Sequence, residues 1–238
     1  MQLLEVTLGD PAGDVALDEA LLEEAERGRG AEVLRLWEPR GTFVVVGRSS
    51  RVSDEVDLNA CGKDDIRLVR RSSGGAAIVT GPGCLMYALT LSLEHRLSLR
   101  MIDAAHRFVL ETVAASLAMH VPGVARRGTS DLAVGEHKFS GNSMRLKQDW
   151  VLYHGTVLYD FPLDAIGRYL TLPPRRPAYR ADRSHGDFVQ NLPLSRETIC
   201  QALVTAFEAR EKQEEWPREA VAELVAKKHG QRSWNYAV

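Results

Sequence analysis

The order of apolar and polar segments predicts an α+β fold, with mixed or antiparallel sheets flanked by helices. Strand-like runs come first, a long helix sits centrally, more strands follow and helices close the chain, so no regular βαβ alternation is present. The central helix is the clearest element. Across Asp103–His120, Ala105, Phe108, Val109, Thr112, Val113, Ser116 and Leu117 recur at helical spacing as one buried stripe, and Pro122-Gly123 ends it. On either side, EVLRLWE, FVVVG, CLMYALTLSL and WVLYHGTVLYD are short, apolar and bounded by turn residues, as strands are.

Taken in order, Leu3–Leu8 is a short apolar strand. DVALDEALLEEAERG places Leu17, Ala20, Leu21 and Ala25 on one helical face, with Gly28 or Gly30 as the stop. Pro39-Arg40-Gly41 separates the next two strands. A polar stretch, Arg48–Asp65, precedes the strand IRLVRR. DLAV and HKFSGNSMR are strands joined by a turn at Gly135, and PLDAIGRYL is a short helix. LPPRRPAYRADRSHG carries too much proline for regular structure. Helices near Arg196–Arg210 and Arg218–His229 finish the chain. The 238 residues are expected to form a single catalytic-size domain, with a core of about residues 1–195, C-terminal helices over 196–229 and no full accessory domain.

Composition excludes several classes. A hydrophobic share of 45% with 26% charged residues fits a soluble globular protein, and a net charge of -2 gives no general attraction to nucleic acid or membrane. Cys61, Cys84 and Cys200 are far apart, without a CxxC or Cys/His cluster, which argues against disulfides and structural zinc. No secretory leader, helix-turn-helix ahead of Leu3 or membrane-length apolar run is present, so the expected location is the cytoplasm.

Two segments could carry chemistry. RRSSGGAAIVTGPG lacks both the GxxxxGK[ST] and the GxGxxG spacings, and a strand follows its glycine pair. Bare backbone there admits a ligand, and two arginines offer donors to a phosphate or carboxylate; the alternative is a β-bulge with solvated arginines. In SDLAVGEHKFSGNSMR, pairing across the Gly135 turn would bring Asp131 and Lys138 together beside Ser140-Gly141. That arrangement suits a developing phosphoryl charge, although a lysine near a turn is otherwise a solvated surface residue.

Together these segments, with HGTVLYD, ALDEALL and VVVGRSS in the same order, resemble the lipoate–protein ligase family, which is related to biotin ligases and octanoyltransferases. The resemblance covers roughly Leu17 to Asp160. It implies that lipoate (or octanoate) reacts with ATP, with Mg²⁺, to form an acyl-adenylate. The acyl group then passes to a lysine of a lipoyl carrier domain, of the 2-oxoacid dehydrogenase E2 or glycine cleavage H protein type. By the same resemblance Lys138 is the catalytic cation, and Arg71 contacts the phosphate or acyl carbonyl. Ser72, Ser73, Gly74, Gly75, Ala76, Ala77 and Thr80 belong to the substrate loop. Asp131, Ser140, Gly141 and Asn142 flank the lysine and place the nucleotide or Mg²⁺. Ile78 and Val79 are expected walls of an acyl tunnel.

The chain departs from the family where Ala76 replaces a third glycine, Thr80 a histidine, Cys84 an asparagine and Ser50 a glutamine. Its length implies either a separate accessory subunit or an ATP-independent transferase activity. A non-catalytic lipoyl-domain binder is a further alternative. Octanoyltransferase branches use a cysteine thioester; here Cys84 follows the loop and reads as a buried core residue. His154, in YHGTV, reads as a core-edge histidine, with a place lining the site as the alternative. Arg126, Arg127, Arg145, Lys147, Arg175, Arg176, Arg180 and Arg183 form a basic bias that suits docking of acidic carrier domains, or an ordinary solvated surface.

Overall fold

The computed structural model describes residues 1–94, 96–172 and 176–237. Its first half contains β1 (Gln2–Glu5), α1 (Pro11–Glu26), β2 (Val33–Trp37), β3 (Phe43–Val46), α2 (Val52–Glu55), α3 (Leu58–Lys63), β4 (Arg67–Arg70), β5 (Ile78–Thr80) and β6 (Cys84–Ser92). After the long helix α4 (Ile102–Ala118) come β7 (Val124–Arg127), β8 (Asp131–Val134), β9 (His137–Leu146) and β10 (Trp150–Leu158). Then follow α5 (Asp164–Tyr169), α6 (His185–Phe188), α7 (Arg196–Ala206), β11 (Glu211–Lys212), α8 (Arg218–Leu224) with a π-helical turn, and α9 (Arg232–Asn235).

These strands form two mixed sheets. The larger runs β11-β1-β2-β6-β10-β9-β8-β7 and the smaller β4-β3-β5. β1 pairs in parallel with β2 and β11, β3 in parallel with β4, and the remaining strand pairs are antiparallel. The main core packs α4 and α7 on the large sheet through Val109, Val113, Ile199 and Leu203, while the small sheet packs on α5 and α6 through Val44, Val79, Ile166 and Phe188. Burial of such aliphatic side chains contributes roughly 1.5–3 kcal/mol each. No helix among the described residues is long and apolar enough to cross a membrane.

The expected elements are present, with instructive differences. Within α4 the side chains at 105, 109, 113, 116 and 117 are buried, but Phe108 is exposed: at about 100° per residue it falls beyond the buried arc. The Arg48–Asp65 stretch contains the short helices α2 and α3, whose polar faces hide their apolar contacts at Val52 and Cys61. The turn at Pro39-Gly41 does not make a hairpin; it carries the chain from the large sheet into the small one. β7, β11 and α9 were not expected, being too short or too polar to give a period.

Candidate functional site

A cavity of about 480 Å³ opens between the two sheets. One arm is apolar, walled by Val15 of α1, Trp37, Val45 of β3, Ile78 of β5 and Met86 of β6. The other is polar and receives Asp131, Lys138, Asn142, Arg176, Arg180 and His185. A pocket with an apolar body and few converging polar groups is the usual form of a small-molecule site.

The β8–β9 hairpin builds the charged end. Gly135 turns the chain, and Asp131 sits opposite Gly141 while Lys138 sits opposite Ala133 across a register irregularity. Lys138 Nζ lies 2.6 Å from Asp131 Oδ1, and Tyr179 donates its hydroxyl to Asp131 Oδ2 at 2.8 Å. Lys138 folds over Gly141, where a Cβ would come within 2.9 Å of the ammonium. Lysine and carboxylate thus meet across the turn as the spacing predicts. Ser140, Gly141 and Asn142 line the same wall. Asn142 is locally engaged: its amide donates to Ser130 O and Ser140 Oγ and its oxygen accepts from Tyr87.

The glycine-rich loop forms the facing wall through Gly75, Ala76 and Ala77. Gly47 allows it to pass close by, since a Cβ there would fall 1.9 Å from Gly75 O. Ser50, in place of the family's glutamine, donates to that carbonyl at 3.1 Å, and Glu55 accepts from Ala77 N–H at 2.5 Å. Ser143 holds Gly74 O at 2.8 Å.

Several expected loop contacts are redirected. Arg71 lines the cavity, but its guanidinium donates to Ser73 Oγ, Gly74 O, Val45 O and Ala76 O, so it folds the loop around itself. Burial lowers this guanidinium to about 10. Ser72, Ser73 and Gly74 do not line the cavity. Thr80 is fully buried, its hydroxyl bonded to Met86 Sδ at 3.2 Å, and belongs to the core. It sits at the end of β5 behind Met86, which stands in the lining where Thr80 does not.

His154 lines the cavity, the second of its two readings. Its Nε2 lies 2.6 Å from Ser73 Oγ and its Nδ1 3.3 Å from Asp18 Oδ2. Asp18 in turn meets Arg35 at 2.6 Å, and Arg35 meets Asp14 at 2.8 Å, both deep under the sheet. Asp18 is held below the usual carboxylate range by Arg35 and His154 against the opposing effect of burial. Sequence reading missed Asp18, Trp37, Glu55, Tyr179 and Phe188; the available signal was ALDEALL, an acid pair inside an otherwise apolar helical run.

The basic bias is largely neutralised. Arg127 pairs with Glu136, Arg145 with Glu19, Lys147 with Glu23 and Arg176 with Asp182, while Arg180 is buried. Arg183 is spent on the carbonyls of Glu136, Tyr179 and Arg180, and Arg175 lies outside the described residues. Among the described residues, most of these cations are thus paired or buried rather than free. Burial pushes the Cys84 thiol up to about 12 and also raises Cys61 and Cys200, so no cysteine is prepared as a nucleophile.

Comparison with known proteins fits this geometry. Residues 10–208 match the lipoyl protein ligase A/B catalytic domain. A curated relative from Mycoplasma pneumoniae, named a probable lipoate-protein ligase A, is 31% identical over 202 residues, covering 83% of this chain. The chain spans only 58% of that relative's length. A crystal structure of lipoate-protein ligase A bound with ATP superposes with a TM-score of 0.83 at 25% identity, over 99% of this chain and 98% of that one. A bi-partite lipoate protein ligase from Thermoplasma acidophilum, described with its E2 lipoyl domain, gives 0.83 at 25% identity over 99% and 95%. With the matched domain spanning most of its length, the chain belongs to the lipoyl protein ligase A/B catalytic-domain family.

Proposed function

We propose that this chain is a cytoplasmic lipoate–protein ligase that joins lipoate, through an acyl-adenylate, to a lysine of a lipoyl carrier domain. The observation that carries the reading is the Lys138–Asp131 pair, at 2.6 Å on the cavity wall facing the glycine-rich loop. A carboxylate oxygen of lipoate attacks the α-phosphorus of ATP and pyrophosphate departs. The carrier amine then attacks the acyl carbon, the C–O bond to AMP breaks and an amide forms. Negative charge grows first on the phosphoryl group and then on the acyl oxygen. A fixed ammonium beside both positions stabilises each transition state, and Asp131 with Tyr179 keeps it in place.

The apolar arm at Val15, Trp37, Val45, Ile78 and Met86 suits the acyl chain, and the arm with Arg176, Arg180 and His185 suits the nucleotide phosphates. His154, oriented by Asp18, orders Ser73 at the base of the loop. Among the described residues no cluster of three or more His, Cys, Asp or Glu could cage a metal. Mg²⁺ would enter as a companion of the nucleotide, with the single carboxylate of Asp131 on the cavity wall available to help hold it and neutralise phosphate charge. The bi-partite relative supports an E2-type lipoyl domain as acceptor and a separate accessory subunit as partner. A thioester route is disfavoured by the Cys84 thiol, which is wholly buried and raised to about 12.

Purified protein is expected to catalyse lipoate-dependent exchange of labelled pyrophosphate into ATP, and to add a lipoyl mass to a carrier domain. Absence of both, with and without an accessory subunit, would overturn the reading. A hydroxylamine-sensitive acyl group on a cysteine would replace it with a thioester transferase.

A further inference from the structure

The first arginine of the RR pair has no role in the chemistry above. Arg70 is fully buried at the end of β4, and its guanidinium is surrounded by carbonyls. Nη1 donates to Gly47 O at 2.6 Å, Arg48 O at 3.2 Å and Ser50 O at 2.9 Å. Nε donates to Trp234 O at 2.9 Å, and Nη2 to Asn235 O at 3.2 Å and Ala237 O at 2.5 Å. The Arg70 backbone is gripped as well: its N–H donates to Asn235 Oδ1 at 2.9 Å, and its carbonyl accepts from Trp234 Nε1 at 3.0 Å. His229 Nδ1 also reaches that carbonyl at 2.9 Å, while its Nε2 lies 2.7 Å from the buried Glu19 of α1.

One side of this guanidinium thus binds residues 47–50 and the other binds the C-terminal segment. Residues 47–50 in turn hold the glycine-rich loop. Arg48 N–H donates to Ser73 O at 2.8 Å, Ser50 Oγ donates to Gly75 O at 3.1 Å, and Gly47 passes directly beneath Gly75 O. None of the described residues 225–237 lines the cavity. We propose that Arg70, clamped by His229, Trp234 and Asn235, is a positioning residue through which the C-terminal segment fixes the glycine-rich loop and thereby sets affinity for the acyl substrate.

The physical case rests on satisfaction of a buried charge. A guanidinium this deep must have its N–H groups occupied, because a buried donor left unpaired has lost its water and gained nothing in return. Removing the C-terminal carbonyls would leave Arg70 seeking other acceptors, and the carbonyls of residues 47–50 are the groups it also holds. Slackness there passes to Ser73 and Gly75 through two hydrogen bonds and one close contact. The proposal takes the acyl substrate from the function proposed above; the mechanical coupling does not depend on it.

The test uses the full chain with Trp234→Phe, which keeps an aromatic ring but deletes the N–H to Arg70 O, and Asn235→Ala. Amide hydrogen exchange is followed at residues 73–77, with the β8 amides as internal control. Exchange at 73–77 should accelerate by about tenfold or more while β8 stays protected, because a local opening has been made easier without global unfolding. In the same variants KM for lipoate should rise about tenfold with kcat within about twofold. Folded variants with wild-type exchange at 73–77 would overturn the clamp, as would acceleration shared equally by β8, which marks general destabilisation. Exchange is read without turnover, so an inactive wild-type protein would refute the ligase reading and leave this result standing.

Discussion

The β8–β9 hairpin and the glycine-rich loop face each other across one cavity, yet they spend their polar groups in opposite directions. The hairpin points Lys138 and Asp131 at the open space, and both remain in the wall. The loop turns its strongest donors back on the protein: Arg71 serves the loop's own carbonyls, and Arg70 serves the chain behind it. The difference follows from backbone geometry. An antiparallel hairpin satisfies its own amides by pairing, so its side chains are free for a ligand. An irregular loop with bare glycines leaves carbonyls without partners, and side chains must be recruited to satisfy them.

Substitutions can break this contrast. The largest effect is expected for Lys138→Ala, with a fall of ~10²–10³ in the rate of adenylate formation and an unchanged fold, measured by pyrophosphate exchange beside circular dichroism. A variant as active as wild type would remove the hairpin from the chemistry. Arg71→Lys should act chiefly on the scaffold, costing about 2 kcal/mol in urea unfolding because an ammonium cannot serve four divergent acceptors. If that variant unfolds like wild type but loses kcat, Arg71 works on substrate, and the two walls both spend their charge on the ligand.

A milder test sharpens the back of the loop through pH. Glu19, beside His229, Lys228 and Arg145, is lowered to about 2 from an ordinary 4.5 by hydrogen bonds to His229 and Lys228 that outweigh its burial. Because the folded value is depressed, the stabilisation is present above about pH 4.5 and is lost as the pH falls toward 2; it amounts to about 3 kcal/mol. Urea midpoints should therefore fall less between pH 7 and pH 3 in Glu19→Gln than in wild type. Equal losses would show that this cluster does not couple folding to protons.

The sequence reading went furthest where local spacing decides the outcome. Asp131 and Lys138 meet because a tight turn forces residues on either side of it together, and the stripe of α4 packs because period alone selects its face. It went less far where partners are distant in the chain. Arg70 and Arg71 look identical as neighbours, and contacts made up to some 165 residues away separate their roles. Thr80 was assigned to the substrate loop by family position, but its side chain is buried against Met86, a contact that sequence spacing does not announce. His154 looked structural because its acid partner, Asp18, lies 136 residues earlier.

The burial of Cys84 has a bearing on what the cavity can safely hold. Lipoate carries a strained cyclic disulfide, which a thiolate would open by exchange. Met86, beside Cys84 in β6, lines the apolar arm, so under the proposed function a thiol of ordinary acidity at this point would stand close to the ring. Held fully out of contact with solvent and raised to about 12, Cys84 is essentially never a thiolate at neutral pH. The apolar arm is in this sense redox-silent, so that, under the proposed function, an oxidised dithiolane would lie along it without forming a mixed disulfide with its host.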